Sequence, residues 1–277
     1  MGHNYMVYKC TFEEDWKMQK SLYSNTARFY DKGNEIKGFT YDIDFYKSFV
    51  NETTRVLELG CGTGRITLSL IEKCKHITGV ELSDQMLDIL RGKIAKLDDY
   101  NQSKVSLNKS DMSYFDLNEK FDLVIFPGVA FQALTTDKQR NSCLESVKKH
   151  LSENGKIIID FFDPDIDKLN KIGNRRFDFE YFDKYLNCTV SKYSIIENHD
   201  SENQLQMFKY TFELTKAGEP VEVIEDYFEL GYLFPDQINE LFHNNKISID
   251  ALYSWYDFSE IDLDNKNMLI YVLSIAC

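Results

Sequence analysis

Three glycines, Gly60, Gly62 and Gly64, alternate with other residues in the segment E-L-G-C-G-T-G at positions 58–64. Glycine allows positive φ angles and a close approach of the backbone to a ligand. The N–H groups at the start of a following helix add donors for polar groups. A dinucleotide loop needs the pattern G-x-G-x-x-G, but Arg65 stands where that pattern requires its last glycine. The segment therefore predicts a ligand-binding loop and disfavours NAD or FAD as its ligand.

Two acidic residues follow the loop at positions that suit a nucleoside. Glu81 ends the next predicted strand, and a carboxylate there accepts hydrogen bonds from both hydroxyls of a ribose. Asp111 follows the third predicted strand and is able to accept from the exocyclic amine of adenine, while a backbone N–H near Met112 serves a ring nitrogen. These residues predict a binding site for an adenosine group.

Alternating strands and helices must position these residues. Short apolar runs predict strands at 55–59, 77–81, 105–108, 121–126 and 156–161, and helical spacing predicts helices at 65–73, 84–96 and 136–151. This alternation indicates an α/β fold with an open, doubly wound parallel sheet.

The flanking segments have a different texture. Residues 11–50 predict helices interrupted at Gly33 and Gly38. Residues 175–232 are rich in Tyr, Phe, Val and Thr and predict three or four antiparallel strands. A helix at 236–244 and two closing strands, at 247–253 and 268–275, follow.

Four segments together resemble the class I S-adenosylmethionine-dependent methyltransferases: E-L-G-C-G-T-G (58–64), G-V-E-L-S-D-Q-M-L (79–87), D-M (111–112) and F-D-L-V-I-F (121–126). The resemblance covers residues 54–163. It implies a seven-stranded, mostly parallel, Rossmann-like sheet whose last strand runs antiparallel. It also implies S-adenosylmethionine as the cofactor and S-adenosylhomocysteine as the product.

The same resemblance, carried over residue by residue, implies the cofactor-binding positions. Glu58 would orient the loop or reach the ligand through water. The others are Gly60, Cys61 and Gly62 at the methionine part, Glu81 at the ribose, Leu82 and Met86 near the adenine, Asp111 and Met112 at the adenine edge, and the backbone of Phe126 near the amino group.

A narrower resemblance, to small-molecule methyltransferases of the sugar N-methyltransferase and glycine N-methyltransferase type, covers most of the chain. It rests on A-R-F-Y-D (27–31), on the β-rich insertion and on the final helix and strands. It implies that Tyr30 approaches the methionine end of the cofactor and takes part in catalysis. Several relatives carry a histidine where this chain has Ala133, with Gln132 beside it, so the identity of a general base stays open.

The acceptor is expected outside the carboxyl ends of the strands. Candidate substrate-binding residues there are Tyr41, Phe131, Gln132, Phe161 and Phe162. The resemblance favours a nitrogen over an oxygen acceptor. We expect residues 1–53 to form an N-terminal helical lid, 54–163 the cofactor-binding core, 164–234 a substrate-side β insertion, and 235–277 the helix and strands that complete the core sheet.

Composition narrows the partners. The chain of 277 residues has a net charge of −13, which would repel a phosphate backbone and disfavours nucleic acid. The six cysteines form no C-x-x-C pair, so we expect no metal and free thiols in a cytoplasmic protein. No apolar run is long enough to cross a membrane. The four acids between Asp160 and Asp167 are interpreted as a solvated strand end. A monomer and a homodimer both remain open.

Three alternatives stay open beside a small-molecule methyltransferase. One is a non-catalytic subunit that binds the adenosyl cofactor, which the absence of a histidine at Ala133 would permit. A second is a protein or RNA methyltransferase, against which the acidic charge and the lack of an N-P-P-Y motif argue. A third is a dinucleotide oxidoreductase, which Arg65 disfavours.

Overall fold

The structure is a computed structural model that describes residues 23–165, 169–261 and 268–276. The predicted helical stretch before residue 23 lies outside the described residues, as do His3, Cys10, Asp167 and Cys277.

Eleven strands form two sheets within the described residues. They are β1 (Arg55–Leu59), β2 (His76–Glu81), β3 (Val105–Lys109), β4 (Phe121–Phe126), β5 (Leu151–Phe162), β6 (Arg176–Asp183), β7 (Cys188–Asp200), β8 (Leu205–Lys216), β9 (Glu219–Gly231), β10 (Ile247–Tyr253) and β11 (Met268–Ile275). The larger sheet has the order β10-β11-β5-β4-β1-β2-β3. Strands β1 to β5 pair in parallel, and β11 runs antiparallel to both β5 and β10. The predicted seven-stranded sheet with an antiparallel last strand is confirmed.

Side-chain caps and a glycine mark the ends of several helices. Ser83 accepts a hydrogen bond from the N–H of Met86, and Thr136 forms a capping box with Gln139. Gly38 ends the first helix in the left-handed conformation at φ 64°. The helices that lie wholly within the described residues are α1 (Ala27–Lys37), α2 (Ile43–Ser48), α3 (Arg65–Leu70), α4 (Asp84–Ile94), α5 (Asp99–Ser103), α6 (Asp137–His150) and α7 (Pro235–Asn244), with a 3₁₀ turn at Ala130–Ala133.

Both faces of the larger sheet are buried, as its continuous apolar strands require. On β4, Val124 and Phe126 pack into one core cluster, while Leu123 and Ile125 pack into the cluster on the opposite face. Because both faces are covered, the carboxyl-end edge of the parallel strands is the part of the sheet left for a ligand.

The second sheet is antiparallel in the order β6-β7-β8-β9 and packs against α1. Phe29 of α1 stacks on Phe212 of β8 with ring centroids 4.6 Å apart. Gly33 does not interrupt the helix, contrary to the expectation from sequence. It lies inside α1, and a Cβ added there would come within 3.0 Å of the Phe179 ring, so close packing explains the glycine.

The start of α1 is bonded directly to the second sheet. Asp226 of β9 is 4% exposed and accepts from the backbone N–H of Thr26 at 2.8 Å and from its hydroxyl at 2.6 Å. It also accepts from the N–H of Asn25. The start of α1 is therefore fixed to β9 of the second sheet.

Candidate functional site

The glycine loop joins β1 to α3 at the carboxyl end of the sheet. The N–H groups of Gly60 and Cys61 donate to the carbonyl of Val80 at 2.9 and 3.1 Å, which holds the loop against the end of β2. Gly60 has φ 77°, and a Cβ there would lie 2.9 Å from that of Ala130. Gly62 also has positive φ, but nothing lies within 4 Å of its Cβ position. The loop therefore has close contact on one side and open space on the other.

Glu81 lies beside that open space. Its Oε2 accepts from the N–H of Gly62 at 3.0 Å, and its Oε1 accepts from the N–H groups of Leu82 and Ser83 at 2.9 and 2.8 Å. Burial raises the pKa of Glu81, while these three backbone donors lower it. The three bonds fix the carboxylate against the glycine loop and use three of its roughly four lone-pair sites, which leaves one on Oε2 for a further donor. Open space at Gly62 next to a fixed carboxylate fits a ribose hydroxyl as that donor.

Glu58 lies under the loop and is 2% exposed. Its Oε2 accepts from the hydroxyl of Thr67 at 2.5 Å. Burial raises the pKa of Glu58 to about 8. Glu58 is therefore a neutral carboxyl bonded to α3, and its role in orienting the loop stays a prediction.

The residues assigned to the adenine lie at the ends of β2 and β3. Asp111 accepts from the N–H of Ser113 at 2.8 Å, which fixes the turn after β3. Met112 packs against the core cluster of the sheet, and Leu82 is half-buried. Met86 is 2% exposed, so little of its side chain is available to a ligand. The contacts of these residues with an adenine stay predictions.

Asp160 holds the segment that follows β4. It is fully buried and accepts four hydrogen bonds, from the hydroxyls of Tyr46 and Tyr256 and from the N–H groups of Gly128 and Val129, at 2.5 to 3.0 Å. Burial raises its pKa to about 6. The interpretation of Asp160 as part of a solvated strand end is wrong, because four donors from distant segments enclose it.

The hydrogen bonds to Asp160 hold Val129 in an unusual backbone conformation. It has φ 59°, a left-handed conformation that a β-branched residue seldom adopts. Its neighbour Ala130 is the residue that crowds Gly60. The turn held by Asp160 therefore shapes one wall of the glycine loop.

Helix α1 closes over the loop through two polar contacts. Asp31 accepts from the hydroxyl of Thr63 at 2.6 Å and pairs with Lys93 of α4 at 2.6 Å. Arg65 pairs with Asp42, which is 2% exposed, and closes the segment between α1 and α2 onto α3. Asp31, Lys93 and Asp42 were not selected from the sequence, although Asp31 ends the A-R-F-Y-D segment.

The contacts of Asp31 with Thr63 and Lys93 and the pair of Arg65 with Asp42 together form a clamp that fixes α1 and the segment after it to the loop and α3. Tyr30, next to Asp31, lies beside the loop. Burial raises the pKa of Tyr30, while Arg65 lowers it, and the carboxylates of Glu81 and Asp31 are near enough to raise it further. Its ring packs edge-on against Tyr23 with centroids 5.1 Å apart. The hydroxyl is therefore protonated at neutral pH. Its catalytic role stays a prediction.

The candidate substrate residues are not gathered in one cavity. Phe131 and Phe161 are each 1% exposed, and they pack in the core with Phe126. Gln132 uses both ends of its amide, donating to the carbonyl of Gly231 at 3.1 Å and accepting from the N–H of Phe162 at 2.9 Å. These contacts make Gln132 a cross-link between β5 and β9.

Tyr41 lies apart from them. It is 43% exposed and packs against Trp255 and Tyr256. Phe162, at the end of β5, is half-buried.

Cys61 lies in the glycine loop and is 4% exposed. Burial raises the pKa of Cys61 well above its ordinary value, so its thiol stays protonated. Among residues 23–165, 169–261 and 268–276, no group of three His, Cys, Asp or Glu side chains could hold a metal ion. No helix in the described parts of the chain has the length and apolar character to cross a membrane.

Comparison with known proteins agrees with this geometry. Residues 56–155 match a family model described as a methyltransferase domain. A malonyl-[acyl-carrier protein] O-methyltransferase from Priestia megaterium (strain DSM 319 / IMG 1521) is 28% identical over 114 residues, which are 39% of this chain and 39% of that protein. The chain spans about half or less of the length of the first curated relatives that it matches.

Two solved structures share the fold over nearly the whole chain. An S-adenosylmethionine-dependent methyltransferase from Clostridium acetobutylicum ATCC 824 superposes with a TM-score of 0.72 at 20% identity, covering 90% of this chain and 98% of that one. A sugar N-methyltransferase from Streptoalloteichus sp ATCC 53650 gives 0.68 at 17% identity, covering 98% of each chain. The predicted fold is confirmed, and within it residues 56–155 match a methyltransferase domain.

Proposed function

We propose that this protein transfers a methyl group from S-adenosylmethionine to a small-molecule acceptor. The observation that carries the proposal is the hydrogen bond between the Gly62 N–H and Glu81 Oε2. This bond brings a glycine loop with open space and a buried carboxylate into one site, as an adenosyl ligand requires. A dinucleotide would require a glycine at position 65, where the guanidinium of Arg65 instead pairs with Asp42.

Each part of the site then has an assigned task. Glu81 binds the ribose hydroxyls, and Gly60 to Gly62 lie along the methionine part. Asp111 and Met112 contact the adenine edge, and Tyr30 lies near the reacting end. When bound, S-adenosylmethionine supplies a methyl group on a positively charged sulfur, whose departure leaves a neutral thioether. The protein therefore has to align the acceptor and exclude water rather than supply an acid.

A nitrogen acceptor fits the surroundings of Tyr30 better than an oxygen acceptor. Among the described residues, a cavity beside Tyr30 is lined by no His, Asp or Glu, and its ionisable side chains are those of tyrosines and of Lys37 and Lys192. Transfer to an alcohol generally needs a base, most often a histidine or a carboxylate, whereas an amine needs only to be deprotonated. The similarity to a sugar N-methyltransferase over 98% of the chain is consistent with this choice.

Calorimetry with S-adenosylmethionine, S-adenosylhomocysteine and NAD tests the binding step. We expect micromolar binding of the first two and none of NAD. Glu81→Ala should weaken cofactor binding by about 1.5–3 kcal/mol, the usual contribution of hydrogen bonds to a charged group. Glu153→Ala, at an exposed position, is the matched control and should leave affinity unchanged. Unchanged affinity in a folded Glu81→Ala protein would remove the ribose assignment.

Turnover separates an enzyme from a binding subunit. Formation of S-adenosylhomocysteine with a panel of amines and alcohols is the measurement, and we expect amines to react faster. Tight cofactor binding without turnover of any acceptor would favour the non-catalytic alternative.

A further inference from the structure

A cavity of about 130 Å³ lies between α1 and the face of the second sheet that packs on it. Its walls include Tyr23, Tyr30 and Lys37 on the N-terminal side, and Lys192 of β7 and Tyr210 of β8 on the sheet. An engineered protein cavity of about 150 Å³ holds benzene. The cavity therefore has room for a group of about one ring, next to the tyrosine assigned to the reacting end.

Lys192 is the unusual residue of this cavity. Its side chain is 10% exposed, and its Nζ lies 3.5 Å from the centroid of the Tyr210 ring and 3.3 Å from Asp178 Oδ2. Lysine is almost never buried to this extent unless it is paired. Here the pair is long, and Asp178 Oδ2 makes no hydrogen bond of ordinary geometry among the described residues.

Positive charge exceeds negative charge around the pair. Besides Lys192, Lys37 lies 3.9 Å and Arg176 lies 3.0 Å from the Asp178 carboxylate. Although burial raises the pKa of Asp178, these three cations lower it overall. One carboxylate thus faces three cations, in a chain whose net charge is −13.

This arrangement is costly for folding alone. Removing both ions of a pair from water opposes folding strongly, and apolar residues of similar volume are often at least as stabilising. Burial lowers the pKa of Lys192 to about 8, so the ammonium is still charged near neutral pH. A buried cation with incomplete pairing in a cavity is arranged to receive an anion.

We propose that Lys192 is a specificity-determining residue that binds an anionic group, a carboxylate or a phosphate, on the acceptor. Asp178 is then a positioning residue that holds Lys192 toward the cavity. This inference rests on the proposed function for the identity of the ligand as a methyl acceptor. The anion site itself is testable without methyl transfer.

Benzoate, inorganic phosphate and benzyl alcohol are the probes, and ligand-observed NMR measures their binding with and without S-adenosylhomocysteine. We expect an anion to bind wild type and to bind Lys192→Met about tenfold more weakly or worse, as for loss of a charged hydrogen bond. Benzyl alcohol, which has the ring without the charge, should bind weakly and equally to both proteins. Phosphate binding without benzoate binding would identify phosphate as the group recognised.

Lys209→Met is the matched control. Lys209 precedes Tyr210 on β8, and side chains alternate along a strand, so Lys209 lies on the opposite face, paired with Glu197 at 2.6 Å. This variant should bind the anions like wild type. If Lys192→Met does not fold, the double variant Lys192→Met/Asp178→Asn removes both charges of the pair and should show the same loss.

The proposal is overturned if neither anion binds wild type, or if the folded Lys192 variants bind as wild type does. Binding of S-adenosylmethionine is measured separately on the same proteins and should not change with Lys192. Anion binding that depends on Lys192 in a protein that fails to bind S-adenosylmethionine would refute methyl transfer and leave the anion site standing. The reverse result would refute the anion site alone.

Discussion

Removing the carboxylate of Asp160 should both destabilise the protein and disturb the glycine loop. Four buried donors, two tyrosine hydroxyls and two backbone N–H groups, bond to this one side chain. A stranded buried donor costs about 1–3 kcal/mol. Asp160→Ala should therefore lower the free energy of unfolding by about 4 kcal/mol or more, against a typical total of about 5–15 kcal/mol. Three of the four bonds go to Oδ2 and only that of the Val129 N–H goes to Oδ1. Asp160→Asn, with its amide oxygen at the Oδ2 position, keeps three bonds and should cost about 1–3 kcal/mol, the cost of one unpaired donor.

Urea denaturation measures these losses, and calorimetry of the still-folded Asp160→Asn protein measures cofactor binding. Tyr46→Phe and Tyr256→Phe each remove one donor and leave the carboxylate its other three. Each should therefore cost only about 1 kcal/mol. Asp160 holds Val129 at φ 59°, and the next residue, Ala130, packs beside Gly60. Asp160→Asn should therefore also weaken S-adenosylmethionine binding, whereas Tyr256→Phe should leave it nearly unchanged.

Two results would refute this reasoning. A loss below about 1 kcal/mol in Asp160→Ala would mean that the donors find other partners. Unchanged cofactor affinity in Asp160→Asn would mean that the turn after β4 keeps its shape without the carboxylate.

Three further changes test the loop and its clamp. Gly60→Ala should abolish cofactor binding and cost about 1–3 kcal/mol of stability, because φ is 77° and the new Cβ would lie 2.9 Å from that of Ala130. Calorimetry measures the binding, and thermal melting measures the stability. Asp31→Asn removes a half-exposed ion pair with Lys93, so stability should change by less than about 1 kcal/mol while cofactor dissociation, followed by stopped flow, becomes faster. Burial raises the pKa of Glu58 from 4.5 to about 8, so the folded protein binds a proton that the unfolded chain has released. The free energy of unfolding of the wild type should therefore fall as pH rises from about 5 to 8, by up to about 1.4 kcal/mol per pH unit. Glu58→Gln should flatten that slope in urea titrations.

Controls separate these effects from general damage. Gly92 lies within α4 and has open space around its Cβ position. Gly92→Ala should therefore leave the stability of the protein unchanged or raise it by about 0.5–1 kcal/mol. If it lost as much stability as Gly60→Ala, the crowding argument would fail. A cofactor dissociation rate unchanged by Asp31→Asn would mean that the clamp does not control release. An equal pH slope in Glu58→Gln would assign the titration to another group.

The larger sheet and the cofactor loop could be predicted because their signals are local. The apolar runs before Gly60 and Glu81 specify adjacent strands, and the order of strands and helices leaves few topologies. The side chain of Glu81 bonds to Gly62, Leu82 and Ser83, all close to it in sequence or on the neighbouring strand end. The two closing strands, Ile247–Tyr253 and Met268–Ile275, lie at their predicted bounds.

Which of the acidic and aromatic residues near the site are buried could not be predicted in this way. Asp160 and Asp163 stand in the same acidic run, yet Asp160 is fully buried and Asp163 is not. The partners that bury Asp160 include Tyr46 and Tyr256, which are 114 and 96 residues away. Likewise, the sequence suggested substrate contacts for Phe131 and Phe161, whereas packing between strands places both in the core.

The sequence by itself determined the class of fold, the position of the loop and the carboxylate after β2, because these depend on periodicity, glycine and strand ends over short stretches of chain. Only the tertiary structure decided which charges lie together. Lys192 and Asp178 occupy ordinary positions in two strands of a predicted sheet. They are buried because α1 packs across that sheet, with its start fixed by the hydrogen bonds of Thr26 to Asp226. The desolvation of a charged side chain depends on the segments that pack over it, and these are distant in sequence, so a local sequence pattern does not predict it.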